Sequence, residues 1–409
     1  MRVLANLFLS VFLAAAALGV GNELLNRLWP LAAISGIRNL LDLSSVLLAL
    51  LVYFGFAFDR HLPKLILLPP IAYLFWSLLD FWPLANWVGP EFYRLLGAGG
   101  QLLLGCLVLK LNRRRNKKQL LFVPAQFAGP GFSGRTFFRF CLLNILVLPL
   151  ALGLLGFSAV SNLVERSTAG FVQLRPNGLY MTEKVYRRQG KTVRLAAMIH
   201  LGDKDYYADL LGSFSRGRSL ILAEGVTDAD GRLRNRFSYT RLADLLGLTS
   251  QEEIRFPGRL IAPGDLTKPA ATAQRWPDIL HADVDLRDFD QRTIAVLNAL
   301  SRYLLDGKSL LTGYEEFNRW ANEHITPDTE RIIIQDLLVN RNARVVDYLH
   351  RALTSYDTVI IPWGALHMPG IERAVIKEGF TLSSSRQRLS IDFLQLAEKM
   401  LQGKSAALR

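Results

Sequence analysis

Residues Thr358–Gly370 read TVIIPWGALHMPG. Thr358–Trp363 is a short apolar, β-favouring run with no alternation, and this predicts a strand buried on both faces. Gly364, Pro369 and Gly370 break the run, and an amphipathic stretch continues as a helix to about Glu378. The same order recurs upstream. Thr192–Ile199 (TVRLAAMI) predicts a buried strand, followed by a turn at Gly202-Asp203 and a helix through Tyr206–Leu211; Ser219–Ala223 (SLILA) predicts another strand. Phe237–Leu248, Asp290–Asp306 and a long stretch from about Asp328 to Thr354 read as helices. A pair of strands within Thr381–Asp392 and an amphipathic helix, Phe393–Leu401, close the chain. Strands alternating with helices predict an α/β domain, a core sheet with flanking helices.

Working outward, the first part of the chain is of a different kind. Of 409 residues, 50% are hydrophobic and 20% charged, with a mean hydropathy of +0.20; this excludes a disordered chain. Five stretches are apolar enough for a membrane crossing of ~20 residues: Val3–Val20, Leu40–Phe58, Leu65–Leu84, Phe92–Leu109 and Phe140–Val164. The third carries Pro69-Pro70 and Asp80, the latter placed near a headgroup layer. The first follows Arg2 and is read as a retained anchor because further spans succeed it. The expected organisation is a membrane region, 1–164, and an α/β domain, 165–409.

The net charge is +13. Residues 1–164 hold 14 Lys and Arg against 5 Asp and Glu, whereas the remainder holds 34 against 30. The excess thus lies mainly in loops between apolar runs, which points to membrane orientation and away from nucleic acid. The loop Asn112–Gln119 (NRRRNKKQ), Arg2 and Asp59–Lys64 fall on one side of a five-span arrangement. With that side cytoplasmic, the region after Val164 lies outside, as for a multi-pass protein of a bacterial inner membrane. Cys106 and Cys141 both lie in expected spans, so the C-terminal domain needs no disulfide and has neither cysteine catalysis nor thiolate-bound zinc.

Polar residues fall at the ends of the predicted strands. His200 follows the first, Glu224 the second, and His367 the turn after TVIIPWGA. In α/β sheets that edge is where ligands bind, and two His with a carboxylate make a first shell for a catalytic metal with an activated water. Each position alone also suits a structural residue, with Glu224 capping a turn.

Taken in order, AMIHLGDKDYYADL, LILAEGV, RNARVVDYL and VIIPWGALHMPGI resemble the motifs of the TraB/PrgY/GumN family, which includes the Tiki proteases and is related to erythromycin esterases and haem-binding ChaN proteins. The resemblance runs from His200 to Gly370. Its second Gly-x-x-His is intact at Gly364–His367; the first has Ala197 in place of glycine before His200. Glu224-Gly225 matches the acidic motif, and Arg341-Asn342 a pair that faces the same pocket in the family. The resemblance implies a membrane-anchored metal-dependent hydrolase, a peptidase acting outside the cytoplasm. In that reading His200, Glu224 and His367 hold a divalent ion (Mn, Co or Zn), Glu224 is the general base, and Arg341 with Asn342 serves catalysis. It leaves two other readings: a non-catalytic peptide- or signal-binding protein of the pheromone-shutdown kind, and a haem- or iron-binding protein. The expected partners are the lipid bilayer and a peptide or protein substrate.

Two further groups stand out. His281, Asp283 and Asp285 alternate, and on a strand they would share one face, either supplementing the site or forming a solvated edge. The run Ser215–Ser219 (SRGRS) with Arg232, Arg234 and Arg236 makes a modest basic patch.

Overall fold

The computed structural model describes residues 1–25, 32–79, 90–115, 118–214, 218–234, 246, 248–251, 254–267, 276–305 and 310–407. They form two compact units, Met1–Val160 and Ser161–Arg409. Asp80, most of the expected helix Phe237–Leu248, part of SRGRS, and Arg236 lie outside the described residues.

The first unit is helical: α1 (Arg2–Leu25), α2 (Ala32–Phe58), α3 (Lys64–Ser77), α4 (Pro90–Arg115) and α5 (Gly134–Ser167). Four of these, α1, α2, α4 and α5, are long and apolar enough to cross a membrane. The expected third span, Leu65–Leu84, is described only as the 14-residue α3, with Pro69 and Pro70 inside it. At 1.5 Å per residue it covers roughly 21 Å, short of a ~30 Å hydrocarbon layer. It still carries the chain from one end of the bundle towards the other: the Lys64 ammonium lies 6.0 Å over the Phe56 ring at the end of α2, and the Tyr73 hydroxyl donates to the Gly97 carbonyl near the start of α4.

The other contacts fix the helix directions. Asn6, at the start of α1, exchanges two hydrogen bonds with the Phe122 backbone just beyond α4, and Arg60 donates its N–H to Gly131 just before α5. At the opposite end Glu23 of α1 meets Arg38 of α2 and Arg94 of α4. Arg2, Arg60, Lys64, Arg113–Arg115, Arg135 and Arg139 therefore cluster towards one end of the bundle. The core between the helices is aromatic and aliphatic, built on Phe8, Phe12, Val52, Phe56 and Leu67.

The second unit contains, in order, β1 (Val172–Arg175), β2 (Gly178–Arg188), β3 (Lys191–Met198), β4 (Leu201–Gly202), α6 (Lys204–Gly212), β5 (Ser219–Ala223), β6 (Thr249–Ser250), β7 (Arg259–Leu260), β8 (Asp278–His281), α7 (Gln291–Leu300), α8 (Leu310–His324), α9 (Pro327–Ile334), α10 (Arg341–Ala352), β9 (Thr358–Gly364), α11 (Met368–Lys377), β10 (Thr381–Asp392) and α12 (Phe393–Ala407). Eight strands form a mixed sheet ordered β1-β2-β3-β9-β5-β8-β7, with β10 also paired to β2. β3, β9, β5, β8 and β7 run parallel, while β1, β2 and β10 form the antiparallel part.

The three strands expected from their apolar runs are all present, and their burial explains why no alternation appears in them. Every residue of β5 is buried, as are Val359–Trp363 of β9, because helices cover both faces of a parallel sheet. Val345 and Leu349 of α10 and Ile371 and Val375 of α11 belong to the same core.

Two local expectations differ. Thr381–Asp392 is one 12-residue strand, not a pair; register shifts near Ser384 and Leu389 let it follow β2 along nearly its whole length. The strand carrying His281 stops there, so His281, Asp283 and Asp285 do not share a strand face. Asp285 instead caps a helical turn, accepting the N–H of Arg287.

Candidate functional site

The parallel strands β3, β9, β5 and β8 bring their C-terminal ends to one edge of the sheet. Met198 pairs with Gly364 and Ala223 with His281, so residues just after the strands stand side by side. Glu224 directly follows β5. Asp283 lies two residues past β8, and His367 three past β9.

The side chains that meet there come from three strand ends and one helix. Arg341, the first residue of α10, is the centre. Its Nε donates to Asp283 Oδ1 at 2.9 Å and its Nη2 to Asp283 Oδ2 at 2.7 Å, a two-bond fork. Nη2 also donates to Glu224 Oε1 at 2.8 Å, and Nη1 lies 3.1 Å from His367 Nε2. Because a guanidinium can only donate, His367 Nε2 is the acceptor and its Nδ1 carries the proton. That proton faces Asn342 Oδ1 at 2.8 Å. Arg341 and Asn342 are neighbours in sequence, so one helix start fixes both sides of the imidazole.

Backbone groups complete the arrangement. Glu224 Oε2 accepts the Gly364 N–H at 2.5 Å. Asp283 Oδ2 accepts the Gly225 N–H at 3.0 Å, and its Oδ1 accepts the Val284 N–H at 2.9 Å. Gly225 adopts φ +152°, a conformation that side chains oppose and glycine tolerates. This frees the chain to turn its N–H towards Asp283.

Trp363 forms the floor. It is fully buried, donates its indole N–H to the Leu222 carbonyl at 2.9 Å, and meets the His367 ring edge-on with centroids 5.1 Å apart. The Arg341 guanidinium carbon sits 5.4 Å from the Trp363 ring centroid, within cation–π range.

Electrostatics follow from this packing. Burial, and then the Arg341 charge, press the His367 pKa down to about 4, so the ring is neutral at pH 7. Burial opposes the Arg341 charge, but the bonds to Asp283 and the Glu224 carboxylate more than compensate and hold it protonated.

Of the residues singled out from the sequence, Glu224, His367, Arg341, Asn342 and Asp283 come together, with Gly225 and Gly364 supplying N–H groups. His200 follows β3 with an exposed side chain, and its charge reaches His367 only as a minor influence. Its carbonyl accepts the Gln251 N–H. His281 is exposed at the end of β8. Ala197, where the motif has glycine, is buried in register with Trp363.

Two contributors lie beyond the candidate residues that the sequence singles out. Trp363 reads in the sequence only as the end of an apolar run. Gly370 packs against Asn342 so closely that a Cβ there would collide with its side-chain amide nitrogen. The Pro-Gly pair at the start of α11 was the available signal.

Among the described residues no group of three or more His, Cys, Asp or Glu is arranged to hold a metal ion. Glu224 Oε1 and His367 Nε2 approach to 3.7 Å, but both face the Arg341 N–H groups. All four oxygens of Glu224 and Asp283 already accept hydrogen bonds. The donor set as folded does not fit a divalent ion unless Arg341 moves. No family model, no curated protein and no solved structure matches the chain.

Proposed function

We propose that this chain is a membrane-anchored hydrolase whose second unit acts on peptide or protein substrates outside the cytoplasm. The observation that supports it is the five-residue cluster of Glu224, Asp283, Arg341, Asn342 and His367 at the C-terminal edge of the parallel strands, the edge where α/β sheets bind ligands.

Each residue has a chemical task there. The Arg341 guanidinium, desolvated and fixed by a fork, suits the oxygen that becomes negative as a carbonyl is attacked. Glu224 is placed to take a proton from the attacking water. Once protonated, Glu224 can return that proton to the leaving amine, while neutral His367 keeps its own proton on Nδ1 against Asn342 and steadies the Arg341 guanidinium by accepting its N–H at Nε2. A divalent ion would need the atoms that Arg341 now meets, so no step is assigned to one; the metal is part of the proposal only as a requirement to be tested.

The end of the bundle bearing Arg60, Lys64 and Arg113–Arg115 is proposed as cytoplasmic, by the rule that basic loops stay inside. With α3 counted as the third crossing, the chain leaves the bilayer on the opposite side of a bacterial inner membrane.

A second reading is capture of a peptide or signal without cleavage. It is favoured by one specific observation: all four oxygens of Glu224 and Asp283 already accept hydrogen bonds, so the polar groups form a set, preformed framework for binding.

One experiment separates the two. The full chain in lipid nanodiscs is incubated with a fluorogenic peptide library, with chelator and then with added Mn²⁺, Co²⁺ or Zn²⁺. Cleavage that drops 10²-fold or more, roughly, in Glu224→Gln and His367→Ala supports the hydrolase, and the ion additions decide the metal requirement. Peptide binding without cleavage under every condition, retained in Glu224→Gln, replaces it with the receptor.

A further inference from the structure

The end of the helical bundle remote from its basic residues holds an unusual set of charges. Glu23 near the end of α1 is buried, and it pairs with Arg38 of α2 at 2.6 Å and Arg94 of α4 at 3.3 Å. Arg38 also lies 3.6 Å from Asp42, one turn further along α2. Ionisable residues within apolar helices are costly and mark functional positions unless fully paired.

Arg38, Asp42 and Arg94 border a cavity of about 600 Å³ between α1, α2, α3 and α4, with Trp76, Tyr73 and Tyr93 in its wall and Leu43, Val46 and Leu74 as apolar surface. The volume lies within the range of small-molecule sites. Trp and Tyr at one end of a bundle mark the headgroup level of a bilayer.

The pairing is uneven. Glu23 is consumed by two arginines, whereas Arg94 and Asp42 keep about half of their side chains exposed, at 55% and 44%. Two arginines balance two carboxylates, so the cluster has no excess of either sign with which to hold a simple ion. Among the described residues, the open charges are one cation and one anion above apolar walls.

We propose that this cavity binds the headgroup of a zwitterionic aminophospholipid. Its phosphate sits towards Arg94, its primary ammonium donates to Asp42, and its acyl chains lie along the apolar walls. Phosphatidylethanolamine has this chemistry. Phosphatidylcholine lacks the N–H donors, and phosphatidylglycerol lacks the cation.

Trp76 supplies the readout. The full chain is placed in nanodiscs containing phosphatidylethanolamine, phosphatidylcholine or phosphatidylglycerol brominated near the top of the acyl chains. The Trp76 signal is the emission lost in Trp76→Phe. Quenching by the ethanolamine lipid at a several-fold lower mole fraction than by the other two is expected. Asp42→Asn, which leaves both Glu23 pairs in place, should abolish the preference over phosphatidylcholine. Arg94→Gln should weaken quenching by all three. Equal quenching by the three lipids in the unaltered chain overturns the proposal without recourse to any variant. So does a preference for phosphatidylglycerol, or an ethanolamine preference that survives Asp42→Asn.

Discussion

The Glu224 carboxylate at the end of β5 accepts the backbone N–H of Gly364 at the end of β9, 2.5 Å away. These strands are paired along Ser219–Ile221 and Thr358–Ile360 and diverge beyond that point. The carboxylate thus continues the sheet as a side chain where the ladder has stopped. Its other oxygen is turned to Arg341, so strand separation and charge placement are one event.

Arg341→Ala would leave the Asp283 carboxylate, 1% exposed, and that of Glu224 without their cation. Breaking a buried pair in this way costs about 3–5 kcal/mol, and the unfolding transition of the second unit should move accordingly when followed by circular dichroism of the full chain in detergent. Arg341→Lys should recover only part of it, because an ammonium cannot reproduce the two-bond fork. An unchanged transition in Arg341→Ala would show that the cluster is not cohesive.

His367 gives a pH dependence with a definite sign. Unfolded, its imidazole protonates near pH 6.5; folded and metal-free, only near 4. Between those values the unfolded state binds more protons, so stability is greatest above pH 6.5 and declines as the pH falls towards 4. The loss is on the order of 3 kcal/mol by the usual value per pKa unit. Urea unfolding at pH 7.5 and 4.5 should show this increment in the unaltered chain and lack it in His367→Gln. Asn342→Asp places a carboxylate on Nδ1 and should raise the His367 titration by about one unit or more, as read from its ring proton shifts.

Gly370→Ala forces the Asn342 side chain away from its place against His367. Overpacking of this kind costs typically 1–3 kcal/mol. If the site is hydrolytic, turnover should fall in parallel with that in Asn342→Ala, and the two changes should not add. Additive losses would place Gly370 outside the His367 support.

Orientation is checked by reporters. Alkaline phosphatase joined after Arg409 should be active, as expected for an extracytoplasmic end, and inactive when joined after Lys118. The reverse pattern would invert the proposed topology.

How much of this was legible follows from the range of each interaction. The buried strands were readable because burial on both faces writes a continuous apolar run into local sequence, as in SLILA and TVIIPW. Glu224 and His367 followed from their place just after such runs. Asp283 alternates with His281 and Asp285 in the sequence, yet it reaches Arg341 because the strand ends before it. Gly370 is legible only as a breaker after Pro369, because the requirement for glycine there lies in Asn342, 28 positions earlier. Of span three, Lys64–Ser77 is helical with Pro69 and Pro70 inside it, and 80–84 lies outside the described residues. The partners of His200 could not be inferred from its position, because a strand end does not set where the next side chain turns.

The helical stretch that carries Arg341 is not uniform. Between α9 and α10, Gln335–Asn340 opens into a wider, π-type turn, a feature frequent at functional sites. Each residue of an α-helix advances about 100° around the axis, so the wide turn acts as a phase adjuster. It takes up residue count without advancing the helical face, and so sets the direction in which α10 begins. Deleting one residue, Val339, should therefore let the segment relax to regular α-helix while α10 keeps its face, so that Arg341 stays on Asp283 and Glu224. Deleting two residues exhausts that slack and should swing Arg341 roughly 100° away from them while α10 remains helical. The chain would keep its helix content and lose its centre, a separation of fold from function that a change of side chain at Arg341 cannot achieve.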